Sequence, residues 1–418
     1  MATRSLSQYF ILLFICPAML VSFQQHDSTH VHPAIVRVTP GARYDAGWLH
    51  RFLFGSHWRD LWTTSIDADV LELDRFAGGL TPIKAGGGRQ TRSLRFKGND
   101  DKEYKFRTID KDPKKALPEE LRQSIAADIV QDQISSANPL APLIVQPLLN
   151  AVGVLNAEPK LVVLPNDERL GEFREEFGGV LGTIEEIPNE GPDGEPGFAG
   201  SEKVISTVKL YQRMLENDNE QVDAIEFLKA RLMDMYLGDW DRHKDQWRWA
   251  GFRQDGGWLW KPIPKDRDQA LSRFDGMVPA LGDMLITEVE SFGDNYSDVQ
   301  DITWTGRYLD RRFLTAVDRP SWDSITTFIM NHLTDSVIED AVHRLPAEMY
   351  AKEGERLAHM LKSRRTNLPK ASEEFSMLCG KFPDLYGSDK PEYAEIQDRK
   401  STRLNSSHSR ASRMPSSA

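Results

Sequence analysis

The segment from Met235 to Asp268, MYLGDWDRHKDQWRWAGFRQDGGWLWKPIPKDRD, limits the possible folds more than any other part of the chain. Trp247 to Arg253 and Trp258 to Pro264 are Trp-rich runs of equal length with alternating character. Between them stands Asp255-Gly256, a preferred type I′ pair, so the segment predicts a β-hairpin with that pair at its turn. Gln254 then faces Gly257, and counting outward sets Gln246 opposite Lys265 and Asp245 opposite Asp266. Facing residues in an antiparallel pair have Cα atoms about 4.5 to 5.5 Å apart. The hairpin therefore works as a ruler that carries Asp266 back to the loop holding Asp241.

That ruler gathers Asp239, Asp241, Asp245, Asp266 and Asp268. Facing like charges destabilise a sheet, and carboxylates sharing a site raise one another's pKa. Such a cluster calls for a cation, a trapped proton or solvent. Hard oxygen ligands suit Mg²⁺, Mn²⁺ or Ca²⁺, and Mg²⁺ is usually held by one or two carboxylates together with substrate phosphates. The plainer alternative is a solvated hairpin mouth screened by Arg242, Lys244, Lys265 and Arg267.

Upstream, AGGLTPIKAGGGRQ predicts a Gly-rich turn centred on Gly86, Gly87 and Gly88, flanked by extended segments. Consecutive glycines let backbone N–H groups approach an anion, although no Walker A sequence or full GxGxxG is present. Strand EYKFRTI follows, with Tyr104 and Phe106 on one face and Lys105 and Arg107 on the other. Either cation suits a phosphate contact; a solvated basic face is the alternative. Leu117 to Ala137 and Leu140 to Leu155 read as helices, and KLVVL at 160–164 as a buried strand. The Pro/Gly-dense Ile187 to Gly200 is a loop. Ile225, Leu228, Leu232, Met235 and Tyr236 describe an amphipathic helix aimed into the Asp239 loop. Further helices are expected at Leu309–Val317, Trp322–Leu333, Ser336–Leu345 and Glu353–Arg364.

Asp241-Arg242-His243 followed by Gln246, a hairpin and then Asp266 resembles the catalytic loop and metal aspartate of atypical kinases. These include the phosphatidylinositol, HipA-type, spore-coat CotH-type and secretory-pathway kinases, whose pattern is DRHxxN and then an Asp after two short strands. The resemblance implies an α+β, two-lobed protein-kinase-like fold with a small mixed N-lobe sheet and a mostly helical C-lobe. It implies ATP with Mg²⁺ or Mn²⁺ as cofactors. Asp241, with His243 in the same loop, would orient or deprotonate the attacking hydroxyl. Asp266 would hold the metal, helped by Gln246 or Asp245 and with Asp268 nearby. Lys105 or Arg107 would anchor phosphate under a lid formed by Gly86 to Gly88. Asp132, or Asp128 on the same face, would pair with the strand cation. Gln246 departs from the pattern, standing where Asn or Glu usually binds metal. Most of Trp48 to Arg399 also resembles an uncharacterised domain of exported bacterial proteins, found beside metallophosphoesterase or outer-membrane barrel modules, with no assigned activity.

The first 24 residues, with Arg4 and an apolar run from Tyr9 to Phe23 broken by Pro17, read as an export signal to the periplasm or cell envelope. An uncleaved membrane anchor is the alternative. Residues 25–70 form an expected aromatic strap, 71–186 the first lobe and 187–370 the second. Residues 371–399 would open a following module, and the Ser- and Arg-rich 400–418 read as a non-native tail. The net charge of −11 over 418 residues argues against a nucleic-acid partner, which needs a basic footprint. Cys16 and Cys379 are the two cysteines; with Cys16 in the signal, no internal disulfide is expected, and Cys379 reads as buried filler. The expected partners are a nucleotide, a protein or small-molecule acceptor, and an envelope neighbour. Three function classes remain: a phosphotransferase, a metal-dependent phosphoester hydrolase using the same Asp and His243, and a non-catalytic pseudokinase scaffold.

Overall fold

The computed structural model describes residues 34–87, 91–113, 117, 119–277 and 290–381. Eleven strands were identified among these: β1 Ile35–Val38, β2 Ile66–Asp69, β3 Leu80–Gly86, β4 Ser93–Gly98, β5 Glu103–Thr108, β6 Lys160–Val163, β7 Leu181–Glu186, β8 Lys203–Ser206, β9 Glu220–Val222, β10 Trp247–Gln254 and β11 Gly257–Pro264. The chain is α+β, with a sheet-rich part followed by a helical part.

Alternation builds the first large sheet, of order β3-β4-β5-β7-β6, in which every neighbouring pair is antiparallel. Leu94, Phe96, Tyr104, Phe106 and Ile184 point to one face and pack with Leu71, Leu73, Leu164, Leu170 and Phe177. The intervening residues Arg95, Lys105, Arg107, Thr183 and Glu185 lie on the other face, because successive strand residues alternate sides. Between β4 and β5 the chain turns at 98–101: Asp101 takes a left-handed φ of 64°, and Asp100 accepts from the Tyr104 hydroxyl at 2.5 Å.

The hairpin β10–β11 has the register the sequence predicts, from Gln254 facing Gly257 to Trp247 facing Pro264. Asp255 and Gly256 both have positive φ, 45° and 78°, as a type I′ turn requires. This register sets Trp247, Trp249, Trp258 and Trp260 on one face, where Trp247 and Trp249 meet Phe227. Gly251 faces Trp260, and a Cβ there would lie 2.6 Å from the indole. Gly251→Val is therefore expected to cost about 1–3 kcal/mol by overpacking. Chemical denaturation measures this, and an unchanged unfolding free energy would contradict the packing. The hairpin is extended by β8 on one side and, in a parallel pairing, by β9 on the other.

The helix expected to be amphipathic runs Ala224–Leu237, capped by Asp223 at its start and by Gly238 in the left-handed region at its end. Every residue from Phe227 to Leu237 is buried. It is thus the central rod of the helical part, and its polar residues survive burial because they are paired. Lys229 meets Glu226 at 2.9 Å, and Arg231 meets Asp310 at 2.6 Å and Asp234 at 2.8 Å. Against it pack Arg319–His332 and Ala347–Lys381, and Arg307–Phe313 reaches it through Asp310; Asp335–Val342 packs on Ala347–Lys381 and Ala141–Ala151. The helix Ala347–Lys381 is far longer than the expected Glu353–Arg364. It continues through Pro369, and Ala371, Phe375 and Cys379 enter the same core. Residues 371–381 thus pack with the preceding body; 382–418 lie outside the described residues.

In the N-terminal stretch Trp58 and Trp62 are buried as expected of packing aromatics, whereas Trp48 is 79% and Phe52 57% exposed. Their short helix, Trp48–Phe54, has no buried residue, so its aromatic spacing serves no core.

Candidate active site

Beyond Gly238 the chain enters the acidic loop, and a buried ion network fixes its path. Asp234, Asp239 and Asp310 face Arg231, Arg242 and Arg267. Three carboxylates against three guanidinium groups leave the set neutral, which is what burial of charge demands. Burial pushes the Asp234 carboxyl up, yet Arg267, Arg242 and Arg231 outweigh it and hold it below its usual range. Arg242 also donates to the carbonyls of Lys265 at 2.9 Å and Gln246 at 3.1 Å, pinning the loop to both hairpin ends. Asp239, grouped with the other acids by sequence, thus belongs to this network, and guanidinium groups supply its counter-charge.

A cavity of about 520 Å³ opens above the loop, between the first sheet and the segments that flank the hairpin, 240–246 and 266–269. Gly86, Gly87, Lys105, Arg107, Asp241, His243, Gln246, Asp266 and Asp268 all line it. The β3–β4 connection brings Gly87 there with φ +149°, and a Cβ at that position would lie 2.0 Å from the Thr91 carbonyl, so only glycine fits. Gly86 has ordinary room. Gly88 lies outside the described residues.

Inside the cavity, the Gln246 amide nitrogen donates to Asp241 at 3.3 Å. His243 Nε2 stands 3.6 Å from Asp241 Oδ1. Asp266 has φ +57° and contacts the Arg107 guanidinium, whose Nε is also 3.8 Å from Glu185. Asp268 reaches the cavity wall with its carboxylate held by the buried Lys111 at 2.6 Å. Burial raises the Asp268 pKa, but Lys111 outweighs it and keeps the group below its usual range.

Two expectations fail. Asp245 does not face Asp266: the ladder ends at Trp247–Pro264, with one more backbone bond from Lys265 N to the Gln246 carbonyl at 3.0 Å. Lys244–Gln246 curl into a 3-10 turn and Asp266 turns left-handed, so the extrapolated register is lost and the Asp245 side chain is 68% exposed. Asp132 does not reach the β5 cations. It sits at the end of a helix shorter than expected, Ile125–Asp132, and binds Arg59 through both oxygens at 2.7 and 2.6 Å, with His50 at 3.1 Å. Glu185 and Asp266 occupy the place beside Arg107 instead.

Arg95, Ser93, Trp240 and Gln269 also line the cavity and were missed, as was Lys111. Alternation along β4 marks Arg95 and Ser93 once β4 is paired with β5. Lys111 becomes visible only through a partner 157 positions away.

The residues fit a divalent cation in one respect and a phosphate group in another. Gln246 Oε1 is buried without a hydrogen-bond partner among the described residues, leaving a hard oxygen beside the Asp241 carboxylate. Among those residues no group of three or more His, Cys, Asp or Glu is disposed to hold a metal unaided, so phosphate oxygens would have to complete a shell around Asp266, Asp241 and Gln246. Lys105, Arg107 and the Gly87 turn offer donors for those phosphates. The nucleoside half of ATP fits less well, since the residues of the sheet that face the cavity are polar.

No family model matches the sequence, and no curated protein matches it. Among solved structures, the Helicobacter pylori proinflammatory kinase CtkA aligns over 71% of this chain and 95% of its own, at 12% identity and a TM-score of 0.37. HipA of Shewanella oneidensis MR-1, in a complex with HipB and operator DNA, aligns over 71% of this chain and 67% of its own, at 12% identity and a TM-score of 0.35. Likeness at this level leaves the activity to be argued from the chain's own geometry.

Proposed function

We propose that the chain is a kinase-like, metal-dependent phosphotransferase. The observation that carries this reading is the convergence, in one cavity, of a glycine turn, the Lys105/Arg107 strand and the acids Asp241 and Asp266. A bound Mg²⁺ or Mn²⁺ would neutralise charge on the transferred phosphoryl group. Asp241 is the base: as the acceptor hydroxyl oxygen bonds to phosphorus and the bridging P–O bond breaks, its carboxylate takes the hydroxyl proton. The leaving phosphate carries away the negative charge. Gln246 holds Asp241 in position through its amide, and Arg107 with Lys105 meets the phosphate oxygens. The acceptor is a protein or small-molecule hydroxyl. On the apolar run Tyr9–Phe23, the same reading sets the protein in the periplasm or cell envelope.

Thermal shift measurements with Mg²⁺ or Mn²⁺ and ATP, other nucleotides or inorganic polyphosphates test the reading; metal-dependent stabilisation is expected. If none of these ligands shifts the melting temperature, the reading fails. Asp241→Asn should leave ligand affinity within about twofold while transfer falls by about 10²–10⁴, the usual contribution of a positioned base. One observation favours a binding-only module instead: Asp266 is engaged by Arg107, so the metal ligand is already neutralised. Wild-type transfer that the Asp241→Asn variant lacks would decide against that alternative.

A further inference from the structure

Cations gather beside the cavity from the first sheet and from the hairpin: Arg95 and Lys105 line the cavity, Lys265 lines the adjoining cleft, and Lys105 and Lys265 both feel the charge of Arg248. Pairing across the first sheet sets Gly86, Ser93, Arg107 and Thr183 in one rung, and Lys84, Arg95, Lys105 and Glu185 in the next. The first rung touches Asp266 through Arg107. The second lies about 7 Å along the strands, two residues at roughly 3.4 Å each. From the hairpin side come Arg248, paired with Ile263, and Lys265, which lines the adjoining cleft with Arg107 and Glu185.

These cations outnumber the carboxylates near them, Glu103, Glu185 and Asp245. Among the described residues the side chains of Lys105, Arg248 and Lys265 make no hydrogen bond or ion pair, and Arg95 reaches only Glu103, at 4.0 Å. All three are half-buried, so water compensates them only in part. Burial, followed by the neighbouring Arg107, lowers the Lys105 ammonium to about 8. Burial, followed by Lys105 and Arg248, does the same to Lys265. An entering anion would relieve this repulsion.

Among the described residues a purine finds little room at that end. The sheet offers Arg95, Lys105 and Glu185 as its wall, while the apolar residues on the hairpin's same face, Val204, Ala250 and Ile263, are already covered by Leu155 and Phe198. The adjoining cleft beside Val145 and Pro188 measures about 70 Å³, against roughly 300–1,000 Å³ for ordinary ligand pockets.

We propose that Arg95, Lys105, Arg248 and Lys265 form a track for a linear inorganic polyphosphate whose terminal phosphate lies at Arg107 and Asp266. The chemistry at the Asp266 end rests on the phosphotransferase reading; the track itself does not. It makes the phosphoryl donor a chain that is anionic along its whole length, with no base to bury.

Calorimetric titration of the full chain with tripolyphosphate, a medium-chain polyphosphate and ATP, in Mg²⁺ at fixed ionic strength, tests this. The medium-chain polyphosphate should bind at least about tenfold more tightly than ATP and weaken steeply with salt. The Arg248→Gln/Lys265→Gln double variant should lose at least about tenfold of the polyphosphate affinity, a phosphate contact being worth that much, while ATP changes less than about twofold. Its ligand-free melting temperature should rise, because two repelling cations have gone; a fall would count against the cluster as described. ATP binding as tightly as polyphosphate, or a double variant that binds polyphosphate normally, overturns the track and leaves the phosphotransferase reading standing. If wild-type protein binds none of the three, both fall.

Discussion

Asp266→Ala is expected to abolish metal-dependent transfer, lowering the rate by about 10²–10³ or more, the scale on which a preorganised electrostatic group acts. Under the proposed mechanism Asp241 takes the proton and Asp268 is held by Lys111, so Asp266, released from Arg107 when a phosphate takes up the guanidinium, would be the principal ligand for a cation. The variant should also show a second effect of opposite sign. Asp266 neutralises Arg107, so its removal frees a guanidinium inside the cavity. In EDTA the variant should bind phosphate-rich anions more tightly than wild type, whereas in Mg²⁺ it should transfer nothing. Asp266→Asn, nearly the same shape, separates loss of charge from loss of volume and should behave like the alanine variant. Unaltered transfer in either variant would remove Asp266 from the chemistry altogether.

Asp234→Ala should remove a large share of the fold's stability although the residue does not line the cavity. Its carboxylate meets Arg231, Arg242 and Arg267, and all of these side chains are buried. Removing one partner from a buried ion set leaves uncompensated charge and typically costs about 3–5 kcal/mol. A domain's whole stability is usually about 5–15 kcal/mol, so the loss is a large share of it. Guanidinium or urea denaturation measures it, and a cost below about 1 kcal/mol would show that the network contributes little. Any folded remainder should bind ligand poorly, because Arg242 also holds the Gln246 and Lys265 carbonyls that shape the loop.

The sequence was most informative where the structure depends on neighbours along the chain. The Asp255-Gly256 turn and equal arms set the hairpin register to the last ladder pair, since turn type and the two-residue period leave little freedom. The same local logic put Lys105 and Arg107 on one face of β5, and the cavity holds nine of the residues named in advance. Register arithmetic failed one step past the ladder, where Asp245 enters a 3-10 turn that no hydrophobic pattern marks. Ion pairing was illegible for a different reason. Asp132 finds Arg59, Asp268 finds Lys111 and Arg231 finds Asp310, partners 73, 157 and 79 positions apart. A carboxylate's partner depends on which elements fold together, and spacing carries no such information. Arg248 was overlooked because a lone arginine in a Trp-rich strand reads as surface until the facing wall is known.

The helix Ala347–Lys381 reaches back to the acidic loop. Its Arg364 donates to the Tyr236 and Met235 carbonyls, each at 2.8 Å, at the end of the rod from which that loop departs, and to the Asn295 carbonyl at 2.5 Å. Nearly 130 positions separate the arginine from the carbonyls it clamps. A growing chain that has already emerged as far as the hairpin therefore still lacks its clasp, and the loop can stiffen only once residue 364 has left the ribosome.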